Sequence, residues 1–214
     1  MLKQQIDYPV PVGVLSTEGR PLSLWEPTPV VVAAERLLPR NSRIVDLGAG
    51  RGSNGIYLAM QGHEVYSVET DRQAIENGRR IGRSLGAAAM SHMFVPADMR
   101  GLDLEAEFGP LDAVLAVRSL QQVSKGEAEE VVGAMQAATR LGGLNAALAY
   151  VARPDQQQLM PHRALFEPNR LGTLYEAAGW DVPVNDVDLR EFVYQAGAPA
   201  CQSTVSLIAT KPAL

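Results

Sequence analysis

Residues Val45 to Asp71 constrain the fold of this chain more than any other stretch. An apolar run, Arg43-Ile44-Val45-Asp46-Leu47, breaks sharply at Gly48-Ala49-Gly50-Arg51-Gly52. Ser53 or Asn54 then opens a helix whose apolar residues Ile56, Tyr57, Leu58 and Met60 lead to Gly62. His63 to Val68 alternates as a strand and ends in Glu69-Thr70-Asp71. A strand, a glycine turn, a helix and a second strand ending in an acid about 20 residues past the glycines form the local frame of nucleotide-binding α/β folds.

The rest of the chain keeps that rhythm. Thr28-Pro29 reads as N-cap and first residue of a helix running from Val30 to Leu38, stopped near Pro39. Helices are expected from about Arg72 to Leu85 and from Lys125 to Leu141, the second ended by Gly142-Gly143. Met93–Ala97, Leu111–Val117 and Leu144–Val151 read as strands three, four and five. Residues 152–167 read as a polar loop across the open sheet edge. Next come a helix over Asn169–Ala178 and strands over Trp180–Val187 and Cys201–Thr210. The expectation is a three-layer Rossmann-like α/β sheet of about seven strands, mostly parallel, with an antiparallel C-terminal hairpin. Residues 1–28, punctuated by prolines, read as an N-terminal cap or arm, and 29–214 as one domain.

Composition narrows the function classes. The 19 basic and 24 acidic residues give a net charge of −5, a poor balance for neutralising phosphates. Aromatics at 6% offer little stacking surface for single strands. One cysteine, Cys201, excludes an internal disulfide and a multi-cysteine zinc site, and no metal is expected. Neither a secretory h-region nor an apolar run long enough for a membrane span is present, so a cytoplasmic protein is expected.

Within the glycine frame, two ligand types compete. A dinucleotide wants G-x-G-x-x-G around a diphosphate, but here the third position is Ser53 and the extra glycine is Gly52. Asp46, two residues before the first glycine, is poor company for a diphosphate and good company for an ammonium. The V-D-L-G-x-G-x-G pattern therefore favours S-adenosylmethionine. Glu69 suits two vicinal ribose hydroxyls, because an ionised carboxylate only accepts.

With these residues in view, the chain resembles the class I S-adenosylmethionine-dependent methyltransferases over about residues 28 to 212. It is similar above all to their tellurite-resistance-type (thiol and chalcogen) branch. That likeness rests on Gly50-Arg51-Gly52-Ser53-Asn54, Gln61-Gly62, Phe166-Glu167-Pro168-Asn169-Arg170-Leu171 and Gly179-Trp180. The chain departs from the branch at Ala49, usually Cys, and at Leu189-Arg190, usually His-Arg. The resemblance implies roles. Asp46 and Gly48 face the methionine amino group, and Ala49, Gly50, Gly52 and Asn54 form the turn and helix start beside the cofactor. Glu69 holds the ribose, Thr70 lies against the adenine, and Asp98 with Met99 reads the adenine edge. Val117 and Arg118 line the methyl-bearing side.

The acceptor side carries weaker signals. Strand four ends in Ala116-Val117-Arg118-Ser119 rather than N/D-P-P-Y/F, which argues against an amino-methylating nucleic-acid enzyme. Arg118 is a candidate for an anionic acceptor or for the cofactor carboxylate, a solvated strand end being the plain alternative. Arg190 matches the branch's arginine, with a surface ion pair to Asp188 or Glu191 as its alternative. His162 is a general-base candidate in the loop over the sheet edge. His63 and His92 read as structural, and Trp25 as packing of the cap. The expected function is methyl transfer to a small-molecule acceptor, a thiol or other soft nucleophile or a hydroxyl, by a monomer or homodimer that binds neither nucleic acid nor membrane. Two other readings are a non-methylating S-adenosylmethionine-binding protein and an NAD-dependent oxidoreductase. The oxidoreductase lacks a Tyr-Lys or His relay, since the lysines are Lys3, Lys125 and Lys211.

Overall fold

The computed structural model describes residues 27–85, 92–153, 163–190, 193–195, 198–200 and 203–213. The expected cap residues before 27, His162 and Cys201 lie outside the described residues.

β1 (Arg43–Leu47) sits inside the sheet, its Ile44, Val45 and Leu47 giving apolar side chains to both faces. It pairs in parallel with β2 (Glu64–Glu69) on one side and β4 (Leu111–Val117) on the other. β3 (His92–Pro96) extends the β2 side, and β5 (Thr139–Tyr150) the β4 side. β6 (Asp181–Asp188) and β9 (Thr204–Thr210) complete a seven-stranded sheet in the order β3-β2-β1-β4-β5-β9-β6. Only β9 runs against the rest, inserted between β5 and β6. The expected antiparallel C-terminal pair is therefore present. A short hairpin of β7 (Val193–Gln195) and β8 (Ala198–Ala200), which the sequence pattern did not signal, lies between its two strands in the chain.

Strand alternation divides the core in two. Ile44, Ala113, Leu115, Leu148 and Ile208 pack with α1 (Pro29–Glu35) and α2 (Ser53–Met60) on one face. Val45, Val114, Ala147 and Leu207 pack on the other with α4 (Leu104–Phe108), α5 (Lys125–Ala138) and α6 (Arg170–Ala177). α3 (Arg72–Ser84) lies on β2 and β3, started by Asp71, whose side chain accepts from the N–H groups of Gln73 and Ala74.

Two boundaries differ most from expectation: α1 ends at Glu35 rather than Leu38, and the junction of α5 and β5 moves. α5, opened by a Ser124/Glu127 capping box, ends at Ala138, and β5 begins at Thr139 rather than Leu144. Thr139 pairs with Leu111, and a register shift follows before Ala113 meets Leu144. Lys211 decides the matter from a distant position. Its Nζ donates to the carbonyls of Gln136 and Thr139 at 3.0 and 2.7 Å, satisfying the helix end that a longer helix would have used. Gly142, at φ +75°, takes the turn inside the bulge.

Candidate functional site

The strand order reverses between β1 and β4, so a crevice opens at their carboxyl ends, where open α/β sheets bind ligands. The glycine turn forms its floor. Gly48, Gly50 and Gly52 all adopt left-handed φ, at +65°, +57° and +74°. A Cβ on Gly48 would stand 2.4 Å from Ser119 Cβ, whereas one on Gly50 would meet nothing within 4 Å. The turn is thus pressed onto β4's end at Gly48 and open at Gly50. Internal bonds fix it, with Ala49 N–H donating to Val68 O at 3.0 Å and Gly52 N–H to Ala49 O at 2.9 Å.

Glu69, at the end of β2, ties two loops together. Its Oε2 accepts from Gly50 N–H at 2.7 Å, and its Oε1 from the N–H groups of Thr70 and Asp71 at 2.7 and 2.9 Å. An ionised carboxylate oxygen can accept more than one hydrogen bond, so Oε2 can still accept another. A cavity of about 500 Å³ lies here, lined by Gly48, Gly50, Glu69, Thr70, Asp98, Met99 and Arg118 among others. Seven of the residues proposed from sequence are therefore brought to one cavity.

Asp46, at the end of β1, is not among the residues lining the cavity. It is 1% exposed, and its Oδ2 has no hydrogen-bond partner. Burial, and next the nearby Glu69 charge, push its carboxyl up to about 7. The unfolded chain releases this proton near pH 3.8, the folded chain near 7. Between those values the folded state binds more protons, so the stability contributed by Asp46 falls as pH rises and levels off above about 7. Asp46→Asn is expected to flatten that slope in the unliganded protein. Thermal unfolding from pH 4.5 to 8 measures it, and an unchanged slope in the variant would remove Asp46 as its source.

Other residues occupy places the sequence did not foretell. Asp98 is clamped by Arg100, whose Nη2 donates to Oδ2 at 2.6 Å and whose Nη1 reaches Glu127 Oε1 at 3.3 Å. This holds the Asp98 carboxyl below the usual carboxylate range. Asn54 turns away to accept the Thr28 N–H at 2.9 Å, joining α2 to the start of α1. Gly52 is buried at α2's N-cap, where a Cβ would stand 2.5 Å from the Phe94 ring. Val117 packs against the core on the α1 and α2 face. Asn54, Gly52 and Val117 shape the site without lining its cavity.

Arg118 lines the cavity in a left-handed conformation, φ +54°, which costs an ordinary side chain about 1–2 kcal/mol. Ser119 and Gln122 line it too, and Gln121 is buried. The exposed Arg190 guanidinium does not line it and pairs with Asp188 at 2.6 Å, the surface alternative. Arg190→Ala is expected to leave stability nearly unchanged, because an exposed ion pair is screened by solvent. Chemical denaturation checks this, and a larger loss would mean a buried role. Both structural histidines have partners: His63 Nδ1 accepts from Ser42 N–H at 3.1 Å, and His92 Nε2 lies 2.7 Å from Ser67 Oγ. Arg100 escaped the sequence reading, whereas Ser119 and Gln122 lie in the stretch Arg118 to Gln122 that reads as a candidate for the acceptor pocket.

The strand order and the glycine turn closed by Glu69 form a Rossmann-like fold of the kind that class I S-adenosylmethionine-dependent methyltransferases share. The chain belongs to the tellurite resistance protein TehB family, whose model matches residues 27–192. Hemagglutinin 1 of Eikenella corrodens is 26% identical over 172 residues, covering 79% of this chain and 55% of the relative. A probable S-adenosyl-L-methionine-dependent methyltransferase TehB of Haemophilus influenzae (strain 10810) is 23% identical over 149 residues, 69% of this chain and 49% of the relative. The chain thus spans about half the length of the curated relatives it matches. Among solved structures, TehB from Haemophilus influenzae superposes with a TM-score of 0.67 at 17% identity, covering 85% of this chain and 61% of that one. Magnesium protoporphyrin IX methyltransferase from Synechocystis PCC 6803, solved with its methyl donor bound, gives 0.61 at 15% identity, covering 85% and 74%. Both likenesses are of fold. Among the described residues, no helix is long and apolar enough to cross a membrane.

Proposed function

We propose that this chain moves a methyl group from S-adenosylmethionine to a small-molecule acceptor, with a thiol or another soft nucleophile as the first candidate. The observation that carries the reading is the buried Asp46 carboxylate, with Oδ2 unpartnered beside the left-handed Gly48. A buried carboxylate left without a donor asks for a cation, which the methionine ammonium supplies and a diphosphate does not. When bound, the cofactor supplies a methyl group already activated by its sulfonium.

The chain's residues then bind, orient and exclude water. Asp46 and the Gly48 edge hold the ammonium, while the bare Gly50 lets the turn approach the ligand. Glu69 Oε2 accepts from the ribose, Thr70 rests against the adenine, and Asp98 with Met99 meets its edge. Arg100 keeps Asp98 ionised and fixed for that task. Residues 29–214 act as one domain, with the preceding residues as its cap.

Calorimetric titration with S-adenosylmethionine, S-adenosylhomocysteine and NADH tests the cofactor, and heat with NADH alone would overturn the reading. Formation of S-adenosylhomocysteine with a thiol panel against hydroxyl and amine panels tests the acceptor. Product only with the latter would remove the soft-nucleophile reading, and none with any acceptor would favour a non-methylating binding protein. Because the ammonium favours ionised Asp46, binding near pH 6.5 is expected to release a proton and to weaken as pH falls below about 7. Titrations in buffers of different ionisation enthalpy would show this, and proton uptake instead would contradict it.

A further inference from the structure

We propose that the methyl acceptor is a carboxylic acid, whose carboxylate is taken by the Arg118 guanidinium and the Ser119 hydroxyl on the cavity wall after β4. The proposal deepens the S-adenosylmethionine reading above and rests on it.

The cavity lining falls into two walls. The glycine turn, the end of β2 with Thr70 and Asp71, and Ala97 to Arg100 form the wall that the reading gives to the cofactor. Arg118, Ser119, Gln122 and Val123 form the other, one short stretch after β4. Ala164 N–H donates to Val123 O at 2.9 Å, so the late part of the stretch read as a loop across the sheet edge is fastened to this second wall. An acceptor must reach the methyl group from outside the cofactor, and the second wall is the lining left for it. Arg118 is exposed there, within reach of a ligand arriving from solvent. Its left-handed backbone is held in place: its N–H donates to Leu148 O at 2.7 Å, and its carbonyl accepts from the buried Gln121 amide.

The charged and polar groups of the two walls are in opposite states. On the first, every carboxylate has donors: Glu69 accepts from Gly50, Thr70 and Asp71, Asp71 from Gln73 and Ala74, and Asp98 from Arg100. On the second, no carboxylate among the described residues pairs with the Arg118 guanidinium. Ser119 is 2% exposed, and its Oγ has no hydrogen-bond partner. A buried hydroxyl left unpaired costs free energy, and a ligand carboxylate would satisfy its O–H.

Charge selects the kind of anion. Arg100 and Arg118 are the cations among the described lining residues, and Arg100 is engaged by Asp98 and Glu127. The N–H groups of Ala49, Gly50 and Gly52 are spent on Val68, Glu69 and Ala49. A phosphate dianion would therefore meet one uncommitted guanidinium and three carboxylates. A single carboxylate matches that guanidinium charge for charge, and its two oxygens fit the planar fork. In the transfer, a lone pair on the acceptor's thiol, hydroxyl or amine atom forms the bond to the methyl carbon. The methyl–sulfonium bond breaks and leaves its electron pair on sulfur. The acceptor's proton passes to water, and its carboxylate is unchanged.

Acids paired with their amides test this, because the amide keeps the shape and removes the charge. Formation of S-adenosylhomocysteine is followed with mercaptoacetate against mercaptoacetamide, glycolate against glycolamide, and glycine against glycinamide. The wild type is expected to use at least one acid with kcat/KM about tenfold or more above that of its amide. Arg118→Gly is expected to bring that ratio to about one. Glycine suits the left-handed position, so the variant keeps the backbone, and thermal melts confirm folding. Arg118→Lys is expected to keep part of the preference, because a point charge replaces the fork. Titration of each protein with S-adenosylhomocysteine is the second readout, with less than about a twofold change expected in Arg118→Gly. Amides used as well as acids by the wild type would overturn the proposal, as would an acid preference that survives in Arg118→Gly. A wild type that binds S-adenosylhomocysteine but methylates none of the acids would overturn it too. A large loss of S-adenosylhomocysteine affinity in Arg118→Gly would overturn it by giving the guanidinium to the cofactor. Failure of the wild type to bind S-adenosylhomocysteine at all would instead strike the cofactor reading itself.

Discussion

Glu69→Ala is expected to weaken S-adenosylmethionine binding by about 1.5–3 kcal/mol, roughly ten- to a hundredfold, the usual worth of hydrogen bonds to a charged group. Two effects add. The ribose loses its charged acceptor, and the N–H groups of Gly50, Thr70 and Asp71 lose the carboxylate that joins their loops. Glu69→Gln separates these effects. It keeps the length of the side chain but supplies one accepting oxygen, so it satisfies one loop and not both. Its affinity is expected to fall between wild type and alanine. Calorimetric titration of the three proteins measures the series, and wild-type affinity in Glu69→Ala would remove Glu69 from the site.

Gly48→Ala is expected to cost about 2–5 kcal/mol of folding stability. A left-handed backbone costs a Cβ-bearing residue about 1–2 kcal/mol. The new Cβ would also stand 2.4 Å from Ser119 Cβ, so β4's end or the turn must shift, an overpacking cost of about 1–3 kcal/mol. Gly50→Ala provides the control. It shares the left-handed φ but meets nothing within 4 Å, so only the backbone cost of about 1–2 kcal/mol applies. Urea denaturation of both variants compares them directly. Equal losses would mean that the contact with Ser119 yields freely. The double variant Gly48→Ala with Ser119→Gly is expected to recover the part due to the clash.

Local signals carried most of the sheet. β4 occupies Leu111–Val117 as the apolar run predicts, because buried parallel strands need an unbroken apolar segment. The C-terminal antiparallel pair was legible from the absence of helical pattern between its strands. The junction of α5 and β5 was not. Residues Thr139 to Leu141 suit a helix locally, and it is the Lys211 ammonium and the pairing of Thr139 with Leu111 that turn them into strand. Asn54 is another such case. Its position at a helix start suggested ligand contact, yet the Thr28 N–H occupies its side-chain oxygen.

The glycine turn, the acid at its fixed distance and the alternation of strands with helices belong to the sequence by itself. Each depends on backbone conformation or periodicity within a few tens of residues, which residue identity controls directly. Tertiary structure decided how those parts serve one another. It buried Asp46 without a hydrogen-bond partner on Oδ2, joined Glu69 to Gly50, clamped Asp98 with Arg100, and set Ser119 against the turn from the end of β4. These outcomes depend on which strands are neighbours and which groups lose water together. Such facts arise only when distant segments pack, so no local pattern encodes them.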